Sequence, residues 1–130
     1  MLNMSMFEEQ EEKKRLEKML RDTDIYKKFT EQKVFKELEC FPTEDDWKKL
    51  NETFGFFFPS LHLLLNNRGL TQKRLHMCLL LRMGIRSKEI MLLLGIKSMQ
   101  QVSNMKRAVN KLLFGEDNAI SLMENINKLF

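Results

Sequence analysis

Glycine and proline are scarce in this chain, 5 and 2 in 130 residues. An all-β fold needs turn residues at short intervals, so the scarcity favours long helices joined by short connections. Only two cysteines are present, Cys40 and Cys78. They exclude a disulfide framework and favour a reducing compartment. No apolar run reaches the roughly 18 residues that a membrane-spanning helix requires. The start, MLNMSMFEEQEEKKR, sets acids directly behind a short apolar stretch and does not read as a secretory signal. These absences together predict a cytoplasmic protein. His62 and His76 are the only histidines, on separate apolar segments, with no Cys or acid at metal-ligand spacing. The phosphate-loop, dinucleotide, zinc-protease and nucleophile-elbow motifs are missing. Asp45 and Asp46 read better as first-turn helix acids than as an acid/base pair. The residues therefore predict no enzyme, no metal, no cofactor and no small-molecule substrate.

What is present is apolar mass and an uneven charge. Hydrophobic residues make up 43% of the chain, enough for a packed core despite 31% charged residues. Residues 1–69 carry 12 Lys and Arg against 14 Asp and Glu, and residues 70–130 carry 10 against 4. Within 70–115 the balance is nine bases against Glu89 alone. Such a stretch repels itself and is better tolerated beside a polyanion. The plainer reading is a solvated basic face on an ordinary domain.

The pattern along the chain is all-α. Residues 2–39 read as one helical arm, rich in Glu, Lys, Leu and Met. A seam through Leu16, Met19, Thr23 and Tyr26 is compatible with a coiled coil, although Glu9 and Glu12 interrupt it further back. Residues 1–40 thus form an arm suited to dimerisation, and 41–130 form the main domain. Thr43 opens the next helix, with Asp46 close to a capping box. Trp47, Leu50 and Phe54 follow at helical spacing. A turn is predicted at Gly55–Pro59, with Phe56, Phe57 and Phe58 in the core. Thr71 caps a helix that is apolar around most of its circumference, Leu75 to Leu81, and that stops at Gly84. Ser87 caps a short helix ending at Gly95. Ser98 and Gln101 form an S-x-x-Q box opening a helix that ends at Gly115. Residues 119–130 close the chain with a last amphipathic helix.

The positive functional signal is geometric. A short helix, a turn with one glycine, then a longer helix with an amide- and base-rich face is the pattern of a helix-turn-helix, here over 86–114. The second helix must do two things. An apolar stripe must fasten it inward: Val102, Met105, Val109, Leu112 and Leu113. Its outer face must offer groups that bridge base edges and reach phosphates: Gln100, Gln101, Ser103, Asn104, Lys106, Arg107, Asn110 and Lys111. No acid falls among residues 98–114. A solvated polar face usually mixes signs, and this one does not. The reading is that helix 98–114 meets double-stranded DNA.

Residues 70–96, LTQKRLHMCLLLRMGIRSKEIMLLLGI, resemble the LuxR/GerE helix-turn-helix family. Leu70, Thr71, Gly84, Lys88, Glu89, Ile90, Leu94 and Ile96 stand at matching places without a gap. Ser98, Val102, Val109 and Leu113 match its recognition helix if the turn gains one residue near Lys97. The wider stretch, residues 25–115, resembles the C-terminal region of Bacteroidetes tetratricopeptide-repeat sensor proteins. The resemblance implies a LuxR-like helical bundle in a transcriptional regulator that acts as a homodimer. It implies a backbone contact for Lys88 and a groove-facing side at Ser103, Asn104, Lys106, Arg107 and Lys111. With Lys97, Gln100 and Gln101 these make up the expected DNA-binding set. Met91 stands where the family prefers Ala, and Ser103 and Met105 also depart from it. Two other readings fit the same residues: a dimerisation or protein-interaction module that makes no use of DNA, and the cytosolic tail of a longer membrane-anchored sensor.

Overall fold

The computed structural model describes residues 6–129, so the parts of the expected arm and last helix at 1–5 and 130 lie outside the described residues. Among those residues it is all-helical, without strands. None of its helices is long and apolar enough to cross a membrane. Nine helices follow in order: α1 (Met6–Arg21), α2 (Asp24–Glu31), α3 (Lys33–Glu37), α4 (Glu44–Phe57), α5 (Pro59–Asn66), α6 (Gln72–Arg82), α7 (Ser87–Leu93), α8 (Met99–Phe114) and α9 (Leu122–Leu129).

The single helix predicted over 2–39 is in fact broken twice. Thr23 makes the first break: its Oγ1 donates to Leu20 O at the end of α1 and accepts from Tyr26 N at the start of α2. One hydroxyl thus satisfies both helix ends. Gln32 makes the second, in the left-handed region at φ 57. The breaks turn the arm's apolar side onto the rest of the chain. Leu20, Tyr26, Phe29 and Phe35 are buried in the same core as α4 and α6. Phe29 lies 4.7 Å from Trp47 and 5.6 Å from Phe35 between ring centroids. The proposed coiled-coil seam is divided accordingly, with Tyr26 buried and Met19 exposed.

Thr43 and Asp46 form the predicted capping box of α4. Asp46 also accepts from Lys28 Nζ at 2.8 Å, tying α2 to α4. Burial pushes the Asp46 carboxyl up, but the bonds from Lys28 and Thr43 outweigh it and hold it below the ordinary range. The turn predicted at Gly55–Pro59 is narrower. Gly55 lies inside α4, where a Cβ would stand 2.8 Å from the His62 ring, so the glycine lets α5 approach. Pro59 then starts α5, a position that needs no N–H. Of the three phenylalanines, Phe58 is buried, Phe57 is half-buried and Phe56 is exposed. Successive helical residues turn by about 100°, so neighbours cannot share one inward face.

Helix α6 is central, as its composition predicts. Leu75 and Met77–Arg82 are all buried. Helices α4, α5 and α9 pack around it. Arg82 donates twice to the Glu17 carboxylate, at 3.2 and 2.6 Å, and so joins α6 to α1. The His76 ring stacks flat on Trp47, 4.1 Å between centroids. Burial pushes its imidazole down to about 4.

Two measurements test this core. Phe29→Ala should lower the unfolding free energy of the whole chain by about 3–5 kcal/mol in a single cooperative denaturation curve. A variant that left the main transition in place would show an independent arm. The unfolded His76 titrates near 6.5 and the folded one near 4, so the unfolded chain binds more protons between those values. Stability should therefore fall as pH drops through that window, by about 1–2 kcal/mol at pH 5 relative to pH 7. His76→Gln should remove most of that slope, and an unchanged slope would assign it to other groups.

Candidate nucleic-acid interface

The α7–α8 pair is built from the inside outward. Ile90 and Leu93 of α7 are buried, and Ile96 plugs the turn between the helices. Gly95 takes φ 67 in that turn, a conformation glycine adopts without strain. On α8, Val102, Val109 and Leu113 face the core. Met105 is half-buried, whereas Leu112, predicted in the stripe, is 47% exposed. Leu112 lies one step off the line through Val102, Val109 and Leu113, and about 100° of rotation carries it out.

Both helix starts differ in detail from their predicted caps. Ser87 is the first residue of α7, and Arg86 holds the cap position without a side-chain bond. The Ser87 hydroxyl is used elsewhere: it accepts from Lys106 Nζ of α8. Ser98 caps α8 by accepting from Gln101 N. The reciprocal half of the box is displaced by one residue, since Gln101 Oε1 accepts from Lys97 N at 3.3 Å.

The predicted DNA-binding residues divide into three groups. Lys88, Lys97, Gln100, Gln101, Ser103, Asn104 and Lys111 are exposed. Gln100, Asn104, Arg107 and Lys111 follow i, i+4, i+7 and i+11 spacing and so share one line along α8, opposite the buried stripe. Gln100 Nε2 donates to Asn104 Oδ1 at 2.9 Å, which leaves Gln100 Oε1 and Asn104 Nδ2 as an acceptor and a donor on that line. Lys88 and Lys97 make no side-chain ion pair among the described residues.

Lys106 forms the second group. It is half-buried, tethered to Ser87, and its ammonium is lowered by burial. It fixes the approach of α8 to α7 instead of facing outward. Arg107 forms the third. It is exposed, yet its Nε and Nη2 donate to Asp117 Oδ1 and Oδ2 at 2.5 and 3.1 Å. That bond draws the Asp117 carboxyl below the ordinary range.

Asn110 corrects the predicted outer face most sharply, because it is fully buried. Its Nδ2 donates to Asn118 O and to Ser121 Oγ, both at 2.9 Å. Its Oδ1 accepts from Asn125 Nδ2 at 3.0 Å. Asn125 and Ser121 both donate to Glu116, whose carboxyl these bonds lower. Leu122 and Ile126 of α9 are completely buried, and α9 packs on both α6 and α8. Helix α9 is thus the buttress that holds α8 to the central helix. Sequence periodicity could have placed Asn110 inward, since it lies four residues beyond half-buried Lys106 and beside Val109. Its amide character pointed the other way.

Compared with family models, curated proteins and solved structures, the chain has no match in any of the three. No group of His, Cys, Asp and Glu among the described residues could hold a metal ion. Cys78 is buried, and burial raises its thiol to about 12.

The arrangement can present amide and ammonium groups in a fixed line on a rigid helix. Asn110→Ala should cost about 2 kcal/mol of stability in chemical denaturation, because three polar partners, Asn118 O, Ser121 Oγ and Asn125 Nδ2, lose their shared neighbour. Gln101→Ala, at an exposed site, should cost well under 1 kcal/mol. Equal effects would mean that the Asn110 cluster contributes nothing specific.

Proposed function

We propose that this chain is a DNA-binding transcriptional regulator of the helix-turn-helix type, with α8 reading duplex DNA from the cytoplasm. The observation that carries the reading is the line Gln100, Asn104, Arg107 and Lys111. It lies opposite the buried stripe of α8 and is free of acidic residues of its own helix. Gln100 and Asn104 offer the acceptor and donor needed at an adenine edge. Lys88 and Lys97 flank them at the start of α7 and in the turn, where phosphates on either side of a major groove would fall. The LuxR/GerE resemblance of residues 70–113 supports the same geometry, and a homodimer would present two such helices to a two-fold site.

With Lys88, Lys97 and Lys111 supplying phosphate contacts, log K for a random duplex should fall against log salt with a slope of about −3. Lys97→Gln with Lys111→Gln should bring the slope to about −1 and weaken binding roughly 10²-fold at 0.1 M salt. Fluorescence anisotropy on a labelled duplex measures both. Wild-type binding that ignores salt, or a double variant that binds like wild type, would sink this interface.

A second reading, a protein-interaction module without a DNA role, draws on a different observation. Exposed Phe41 and Leu92 line one groove of about 200 Å³ beside the α7–α8 turn. That reading predicts self-association or partner binding that persists in 1 M salt, together with no duplex binding at low salt.

A further inference from the structure

In the proposed reading line, Arg107 is hydrogen-bonded to a carboxylate, that of Asp117, on which the Lys111 charge also acts. The pairing is two-pronged, Nε to Oδ1 and Nη2 to Oδ2, which is the geometry a guanidinium uses on a phosphate or on a guanine edge. Asp117 therefore occupies the same donors that DNA would use. It belongs to the loop after α8 rather than to α8 itself, so the acid-free helix acquires an acid from outside.

The position of Asp117 is built. Gly115 ends α8 in the left-handed region and turns the chain back. The next residues are then pinned on both sides of Asp117. Glu116 accepts from Ser121 and Asn125, and Asn118 O accepts from the buried Asn110. The carboxylate is thus carried to Arg107 by a fixed loop. Asn104, Arg107, Ala108, Lys111 and Asp117 line one shallow groove, so Asp117 stands over the reading face. The pair itself remains open to water, with Arg107 and Asp117 side chains 60% and 52% exposed. An exposed ion pair is weak and exchanges readily, so a well-placed anion can displace it.

We propose that Asp117 is a specificity-determining residue: it competes with DNA for Arg107 and lowers affinity for arbitrary duplex. Arg107 is released only where a guanine edge offers two acceptors in the same geometry, which the phosphates of arbitrary duplex do not supply. This inference rests on the DNA-binding reading above.

The test is anisotropy on a labelled random duplex across a salt series, using the full chain. Asp117→Asn keeps the shape and removes the competing charge. It should steepen the salt slope by about one and tighten binding about eightfold at 0.1 M salt, the effect of one added phosphate contact. Glu124→Gln, an equal change of net charge on α9, should do neither. Arg107→Gln should change little in the wild-type background and should abolish the gain in the D117N background. Thermal melting of each variant checks that the exposed substitutions leave the fold intact. If wild type binds with a salt slope and D117N matches it, the competition is refuted while the DNA reading stands. If E124Q gains as much as D117N, the effect is net charge and the proposal likewise falls. If neither wild type nor D117N binds duplex at low salt, the DNA reading itself fails, and this inference with it. Binding by D117N alone would support both.

Discussion

A helix that is apolar around most of its circumference cannot lie at a surface, and α6 is such a helix. Seven of its 11 residues are buried. Each side left bare would expose whole Leu or Met side chains, at about 1.5–3 kcal/mol apiece. The remaining helices are arranged to prevent that. Helices α4 and α5 cover one part of its surface and α9 another, while α1 closes on its end through the Glu17–Arg82 pair. This constraint also recruits the N-terminal segment. An extended arm could not bury Leu20, Tyr26, Phe29 and Phe35, whereas the two breaks at Thr23 and Gln32 allow it to wrap.

The candidate interface inherits its rigidity from that arrangement by way of α9. Helix α8 is held to its surroundings by Val102, Val109 and Leu113 and by two polar locks, Lys106 on Ser87 and Asn110 on the α9 segment. Apolar burial is non-directional and would tolerate some rotation of α8 about its own axis. Hydrogen bonds at fixed distances would not. The polar locks therefore set which line of side chains points outward, and a reading helix depends on that angle more than on its depth.

Much of this was legible in the sequence where local chemistry alone decides. Thr43, Thr71, Ser98, Gly84, Gly95 and Gly115 mark helix ends by their own hydrogen-bonding or φ requirements, and the helices end where these residues stand. The unbroken composition of α6 was enough to place it at the centre. What escaped, apart from the local break at Thr23, was decided by partners further along the chain. Thr23 resembles Thr43, each followed by an acid, but the good helix formers on both sides of it concealed the break. Gly55 reads as a turn until His62 is folded against it. Lys106 and Asn110 have residue types that suit an outer face, and only Ser87 and the α9 segment make them internal. Asp117, 10 residues beyond Arg107, has no periodic relation to it, because the chain reverses between them.

The charge count shows the same limit in a form that bears on function. Nine bases against one acid over 70–115 suggests a strong positive field. Folding assigns three of those bases to carboxylates: Arg82 to Glu17, Arg86 to Glu89 and Arg107 to Asp117. Two of these acids come from outside the basic stretch, one from the N-terminal segment and one from the loop after α8. The bases that remain are Lys73 and Arg74 at the start of α6, Lys106 on Ser87, and Lys88, Lys97 and Lys111 along α7, the turn and the outer line of α8. In the proposed reading, such charges at fixed positions would orient a polyanion on that face more than attract it in bulk. Under the same proposal, discrimination at that face would rest on Gln100, Asn104 and Arg107, on the helix that the polar locks hold.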